Sequence, residues 1–137
     1  MLRPCLLIPV YNHGSLIEAT YERLRLFGLP CILVDDGSVP STATVLDKLA
    51  AQEPSITLLR LPNNSGKGAA VLQGITRAQQ LGYTHALQID ADGQHNTDDI
   101  PALLALAEKY PDALISGAPQ YGNDIPKSRL YGRYITH

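Results

Sequence analysis

Cysteine is scarce in this 137-residue chain: only Cys5 and Cys31 occur. Both sit inside apolar runs and read as small core residues, which excludes a disulfide-dense scaffold and argues against a metal pair. No apolar run approaches the ~20 residues that a membrane helix needs. The stretch before the polar Tyr11-Asn12-His13 carries no small-residue cleavage site, so no signal peptide is expected and a cytoplasmic location is. Basic residues are not in excess: 11 Lys and Arg stand against 13 Asp and Glu, for a formal charge of -2. With no basic stripe to follow a phosphate backbone, nucleic acid is not an expected partner. A Gly-x-Ser-x-Gly elbow and a nucleophilic cysteine setting are also missing, which removes the main support for hydrolase chemistry.

What remains is a chain with 45% hydrophobic and 18% charged residues, enough for a packed core. Its length suits one domain over residues 1–137. Short apolar runs alternate with longer amphipathic ones, the pattern of an α/β domain with a mostly parallel sheet and helices on both faces. The runs predict strands at Cys5 to Val10, Cys31 to Val34, Ile56 to Leu61, Ala86 to Ile89 and Ala113 to Ser116. Helical spacing predicts a first helix through Leu16, Ile17, Thr20, Leu24 and Phe27, stopped by Gly28. A second, capped by Ser41 or Thr42, runs through Val45, Leu46 and Leu49. A third covers Lys67 to Leu81 with Ala70, Val71, Gly74, Ile75 and Ala78 on one face. A fourth, capped by Asn96 or Thr97, turns Ile100, Leu103, Leu104 and Ala107 inward. Beyond Gly117 the pattern fades, and Leu130 to Ile135 reads as the opening of another helix.

In open parallel sheets ligands bind beyond the carboxyl ends of the strands, so the polar groups that follow each strand carry the functional argument. Three strands end in such groups: Pro9-Val10-Tyr11-Asn12, Asp35-Asp36-Gly37-Ser38 and Asp90-Ala91-Asp92. They are expected to gather on one rim. Asp90 and Asp92, two hard oxygen ligands one residue apart, suit Mg²⁺ or Mn²⁺ shared with a phosphate, or serve as a turn pair. Of Asp35 and Asp36, one is expected to hold the turn and the other to face the cleft, because successive strand side chains point opposite ways. Both as turn residues is the plainer alternative. Asn63-Asn64-Ser65-Gly66-Lys67-Gly68 invites a phosphate-loop reading, but Leu61 stands where a Walker A sequence needs glycine, and Gly68 where it needs Ser or Thr. An ATPase is rejected. A helix N-terminus aimed at a diphosphate and a flexible helix entry both remain open. His95 reads as a framework residue or as an aid to a metal or diphosphate.

Taken together, Leu7-Ile8-Pro9-Val10-Tyr11-Asn12, Val34-Asp35-Asp36-Gly37-Ser38, Asn64-Ser65-Gly66-Lys67-Gly68 and Asp90-Ala91-Asp92-Gly93-Gln94-His95 resemble the family 2 glycosyltransferases. The nearest likeness is to the polyprenyl-phosphate and dolichyl-phosphate mannose synthase branch. The resemblance implies a GT-A fold, a Rossmann-like nucleotide-diphospho-sugar transferase domain, here ending after its donor-binding half without the acceptor side. It implies that Pro9, Tyr11 and Asn12 pack against the base, that Asp36 with Gly37 and Ser38 forms the base-binding turn, and that Lys67 borders ribose and diphosphate. Asp92 is implied as the direct metal ligand, with Asp90 reaching the ribose or the metal and Gln94 near the metal. The catalytic base of such an enzyme is expected beyond His137. The partners implied are a UDP- or GDP-linked sugar and a lipid-phosphate or polysaccharide acceptor, the former at the cytoplasmic face of a membrane. The competing expectation is a non-catalytic nucleotide-binding module on the same fold. An exposed sheet edge or apolar face would favour self-association.

Overall fold

The computed structural model describes residues 2–12, 14–91, 99–109 and 129–131. Strand β1 (Pro4–Val10) is followed by α1 (Gly14–Leu24) and a short 3-10 turn (Arg25–Phe27). Then come β2 (Cys31–Asp36), α2 (Pro40–Gln52), β3 (Ile56–Leu61), α3 (Lys67–Gln80), β4 (His85–Gln88), α4 (Asp99–Lys109) and β5 (Arg129–Tyr131). The sheet order is β3-β2-β1-β4-β5. The first four strands are parallel and β5 runs antiparallel to β4.

β1 is central, and its apolar run is buried on both faces, as a parallel strand between helix layers requires. Alternation sends Leu6, Ile8 and Val10 to one face, where Ile17 and Leu24 of α1, Leu46 of α2, and Ile100 and Leu103 of α4 cover them. Cys5 and Leu7 point to the other face, packed with Ile32, Val34, and Ala70, Val71 and Ala78 of α3. Gly74 lets α3 approach closely: a Cβ there would lie 2.2 Å from Leu7 Cδ1 and 3.0 Å from Val34 Cγ2.

Several boundaries differ from the sequence expectation for identifiable reasons. Leu16 is exposed rather than inward, and Tyr21 takes a core place instead, its hydroxyl 3.0 Å from Ser55 Oγ. Neither Ser41 nor Thr42 caps α2; Val39 is the cap residue, and Pro40 opens the helix where its missing N–H costs nothing. β2 extends through Asp35 and Asp36, so these carboxylates belong to the strand itself. Arg129 to Tyr131 is a strand, not the opening of a helix, because its backbone completes a ladder on the outer edge of β4. The expected strand at 113–116 and the caps Asn96 and Thr97 lie outside the described residues.

The order of strand addition reverses at β1. From β1 the chain winds outward through β2 and β3, then α3 carries it back over the sheet so that β4 lands on the opposite side of β1. A crevice therefore opens between the carboxyl ends of β1 and β4. Pro9 helps to open it. The Leu6 amide donates toward the β2 side, to the Pro30 carbonyl, and the Leu7 carbonyl accepts from Ile89 on the β4 side. Alternation turns the nitrogen of Pro9 toward β4, where the paired register has already ended at Leu7 and Gln88. A residue without an N–H fits where the ladder needs no donor.

Candidate functional site

The crevice forms a cavity of about 250 Å³ lined by Pro9, Val10, Tyr11, Asp36, Asn64, Lys67, Asp90 and Ala91. Each strand end contributes through its own local geometry. Tyr11 leaves β1 with its side chain 45% exposed, so an aromatic face stands at the rim. Asn12 adopts a left-handed backbone with φ of 59°, a conformation asparagine tolerates better than most residues. Its side chain holds that turn by accepting the Val39 amide at 2.8 Å, while its own amide donates to Ser38 Oγ at 3.0 Å. Ser38 Oγ in turn donates to the Val10 carbonyl at 3.4 Å. Asn12 and Ser38 thus fasten the β1 turn to the β2 turn behind the cavity wall.

Asp35 and Asp36 separate by strand alternation. Asp35 turns toward α2, accepting from the Ser38 amide at 2.9 Å and from Arg60 Nε at 2.8 Å. Arg60 also bonds Asp47 and the Ala43 carbonyl on α2. Burial alone would raise the Asp35 carboxyl, but the hydrogen bonds from Arg60 and Ser38 hold it below its ordinary value. Asp36 turns the other way, toward the entry of α3. Its Oδ1 accepts the Ser65 amide at 2.7 Å, and its Oδ2 accepts the Gly66 amide at 3.0 Å and Asn64 Nδ2 at 3.2 Å. The carboxylate thereby orders the loop between β3 and α3 while still lining the cavity.

Gly37 sits where that loop crosses the β2 turn. Its φ is 70°, and a Cβ would lie 2.4 Å from the Asn64 amide nitrogen. Only glycine meets both demands. Across the mouth, Lys67 Nζ lies 2.5 Å from Asp90 Oδ1, joining the first turn of α3 to the segment after β4. That segment is braced from behind by Thr20, whose buried hydroxyl donates to the Ala91 carbonyl at 3.1 Å.

For a hard divalent cation the described residues offer one partly exposed carboxylate, that of Asp90. Asp90 is only partly buried and already draws a cation, the Lys67 ammonium, to one of its oxygens. Asp36 lines the same cavity, but its carboxylate is engaged by Ser65, Gly66 and Asn64. Among the described residues no group of three or more His, Cys, Asp or Glu is assembled for a metal. The expected ligand Asp92, with Gln94 and His95, lies outside the described residues.

The family model for glycosyl transferase family 2 matches residues 5–134. The chain belongs to that family. As a family 2 chain it is 33% identical over 106 residues to an undecaprenyl-phosphate mannosyltransferase of Micrococcus luteus, covering 75% of the chain and 43% of the relative. It is 30% identical over 112 residues to a UDP-N-acetylglucosamine--dolichyl-phosphate N-acetylglucosaminyltransferase of Methanococcus voltae, covering 72% and 45%. Among solved structures, a mannosyltransferase of Pyrobaculum calidifontis in complex with GDP-Man and Mn²⁺ superposes with a TM-score of 0.71. The identity there is 16%, over 96% of this chain and 44% of that one. This likeness shows the fold, which is GT-A. The chain spans less than half the length of these proteins.

Within this family 2 domain, the structure brings Pro9, Tyr11, Asp36, Lys67 and Asp90 onto one cavity, although they are spread over 82 positions of sequence. Asn12, Gly37 and Ser38 do not line it; they build the turns that hold its wall. Asn64, Val10 and Ala91 also line it; each belongs to one of the sequence motifs, but none was assigned a role of its own. Arg60 was missed altogether. Its signal was a lone charge inside the apolar run Leu58-Leu59-Arg60-Leu61.

Proposed function

We propose that the cavity binds a nucleoside-diphosphate sugar with Mg²⁺ or Mn²⁺, and that the chain is the donor-binding part of a transferase that passes the sugar to a polyprenyl-phosphate acceptor with inversion. The observation that carries this reading is the convergence of Tyr11, Asp36, Lys67 and Asp90 on one crevice at the switch point of a family 2 domain. Tyr11 and Pro9 offer a flat wall for a base, and Asp36 offers an acceptor at its edge. Lys67 supplies positive charge at the diphosphate, releasing Asp90 as it does so. Asp90, together with Asp92, would hold the divalent ion. When bound, that ion neutralises charge on the departing nucleoside diphosphate. A phosphate acceptor is already ionised at neutral pH, so the nucleophile needs no proton removed by this chain. The acceptor class is drawn from the lipid-phosphate names of the two relatives. Among the described residues no helix is long and apolar enough to cross a membrane.

Calorimetry with UDP and GDP, with and without Mn²⁺, tests the donor site. Metal-dependent binding that collapses in Asp90→Asn is expected; binding indifferent to both the metal and the substitution would refute the reading.

A further inference from the structure

Thr20 lies on the buried face of α1 with Ile17, Tyr21 and Leu24, and is only 1% exposed. A threonine hydroxyl inside a helix commonly donates to the carbonyl four residues back. Thr44 does so to Pro40 and Thr76 to Leu72, each at 3.0 Å. Thr20 does otherwise. Its hydroxyl crosses to the carbonyl of Ala91, 71 positions further along the chain and equally buried. An aliphatic side chain could fill the same space in this apolar layer, so what the hydroxyl adds is the bond.

That bond falls where the sheet stops holding the chain. The register of β1 with β4 ends at Leu7 and Gln88, and one more ladder bond follows, from the Ile89 amide to the Leu7 carbonyl at 2.9 Å. Past it, Ile89 and Ala91 both join the core on the α1 side, while Asp90 between them lines the cavity and meets Lys67. The Lys67 contact is exposed, and it is the one a diphosphate would take away. The Thr20 bond is buried and stays. We propose that Thr20 is a positioning residue for the transferase site: by fixing the Ala91 carbonyl it holds the Asp90 carboxylate at the cavity mouth once Lys67 has turned to substrate. This rests on the reading above, that the cavity binds a nucleoside diphosphate with a divalent ion.

The test titrates UDP and GDP into the chain by calorimetry, in Mn²⁺ and again in EDTA, and reads the ratio of the two affinities. Thr20→Val keeps the shape and removes the hydroxyl, so the ratio should fall about fivefold, the size of one net hydrogen bond. Thr20→Ala removes the hydroxyl by a second route and should show the same fall. Thr20→Ser keeps the hydroxyl and should stay within about twofold of the unsubstituted chain. Tyr21→Phe is the control: it removes the neighbouring hydroxyl, which meets Ser55, and should lower the thermal midpoint with the ratio unchanged. A ratio that holds in Thr20→Val, or falls as far in Thr20→Ser or Tyr21→Phe, overturns the positioning role and leaves a bond that only stabilises the fold. If nucleotide binding by the unsubstituted chain ignores Mn²⁺, the donor-site reading fails, and amide exchange at Asp90 and Ala91 in the ligand-free chain decides the inference. Faster exchange in Thr20→Val but not in Thr20→Ser upholds Thr20 as the brace of Asp90; equal exchange in both overturns it.

Discussion

Lys67 and Asp90 face each other across the mouth of the cavity, Nζ to Oδ1 at 2.5 Å, with the lysine side chain 58% and the aspartate 27% exposed. The pair joins the start of α3 to the end of β4, the two elements between which a diphosphate and its cation would lie. An exposed pair of this kind stabilises a fold by only about 0 to 1 kcal/mol. Its value lies in what each partner does when the other is taken away.

Lys67→Met should therefore leave the thermal midpoint within a few degrees of the original. Nucleoside-diphosphate binding should weaken by about tenfold, the order of one charge-assisted contact. Calorimetry and a melting curve on the same samples separate the two effects. A large drop in the midpoint would show that the pair is structural.

Gly37→Ala is expected to be far more damaging than an ordinary surface change. The added Cβ meets the backbone of Asn63 and Asn64 at a positive φ, and neither backbone can yield as a side-chain tip does. A loss of about 2 kcal/mol or more is expected in denaturant unfolding, together with weakened nucleotide binding. Gly28→Ala makes the control, since it shares the positive φ but has open space around it. Its cost should be clearly smaller.

Asp35 predicts a pH dependence. Its folded-state carboxyl is held below its ordinary value by Arg60 and Ser38 against the opposing effect of burial. A lowered folded value means that the stabilisation is complete above the unfolded carboxylate range, about pH 4. It is lost as pH falls through the folded value. Unfolding measured from pH 7 down to pH 3 should show stability falling in the acid limb, and the fall should be shallower in Asp35→Asn. Arg60→Ala should be less stable near neutrality and should also flatten the acid limb. An identical acid limb in all three proteins would exclude Asp35 as a contributor.

Cys5 and Cys31 should resist thiol reagents in the native protein. Both are buried, with Cys5 pushed up to about 12 and Cys31 raised further by its burial, so neither supplies a reactive thiolate near neutral pH. They also pack on opposite faces of the sheet, Cys5 beneath α3 and Cys31 on the side of α1 and α2. Labelling by a thiol reagent should follow global unfolding, and no internal disulfide should form under mild oxidation. Rapid labelling of the folded chain would contradict this placement.

Much of the fold was legible because strand and helix periodicities are local. The runs at Cys5 to Val10 and Ile56 to Leu61 and the stripe Ala70, Val71, Gly74, Ala78 each carry their own evidence, and the glycines that follow the 3-10 turn and α3, Gly28 and Gly82, act on their own φ angles. The short strand Arg129 to Tyr131 was misread, since three residues hold no period and their pairing with β4 is made at a distance. Leu16 lies about 100° around α1 from Ile17, outside the face that buries Ile17, Thr20, Tyr21 and Leu24, whereas Tyr21 falls on that face and reaches Ser55.

For the site, the sequence by itself determined which residue types were on offer and that they follow strands. Acidic, aromatic and lysine side chains after buried runs point to a rim, and alternation alone parts Asp35 from Asp36. What the tertiary structure decided was partnership. That Asp35 is held by Arg60, that Asp36 is engaged by Asn64, Ser65 and Gly66, and that Lys67 faces Asp90 depends on contacts between residues 23 to 30 positions apart. Hydrogen bonds are set by distance and direction in space, and a chain that crosses its own sheet brings together groups whose spacing in sequence carries no sign of it.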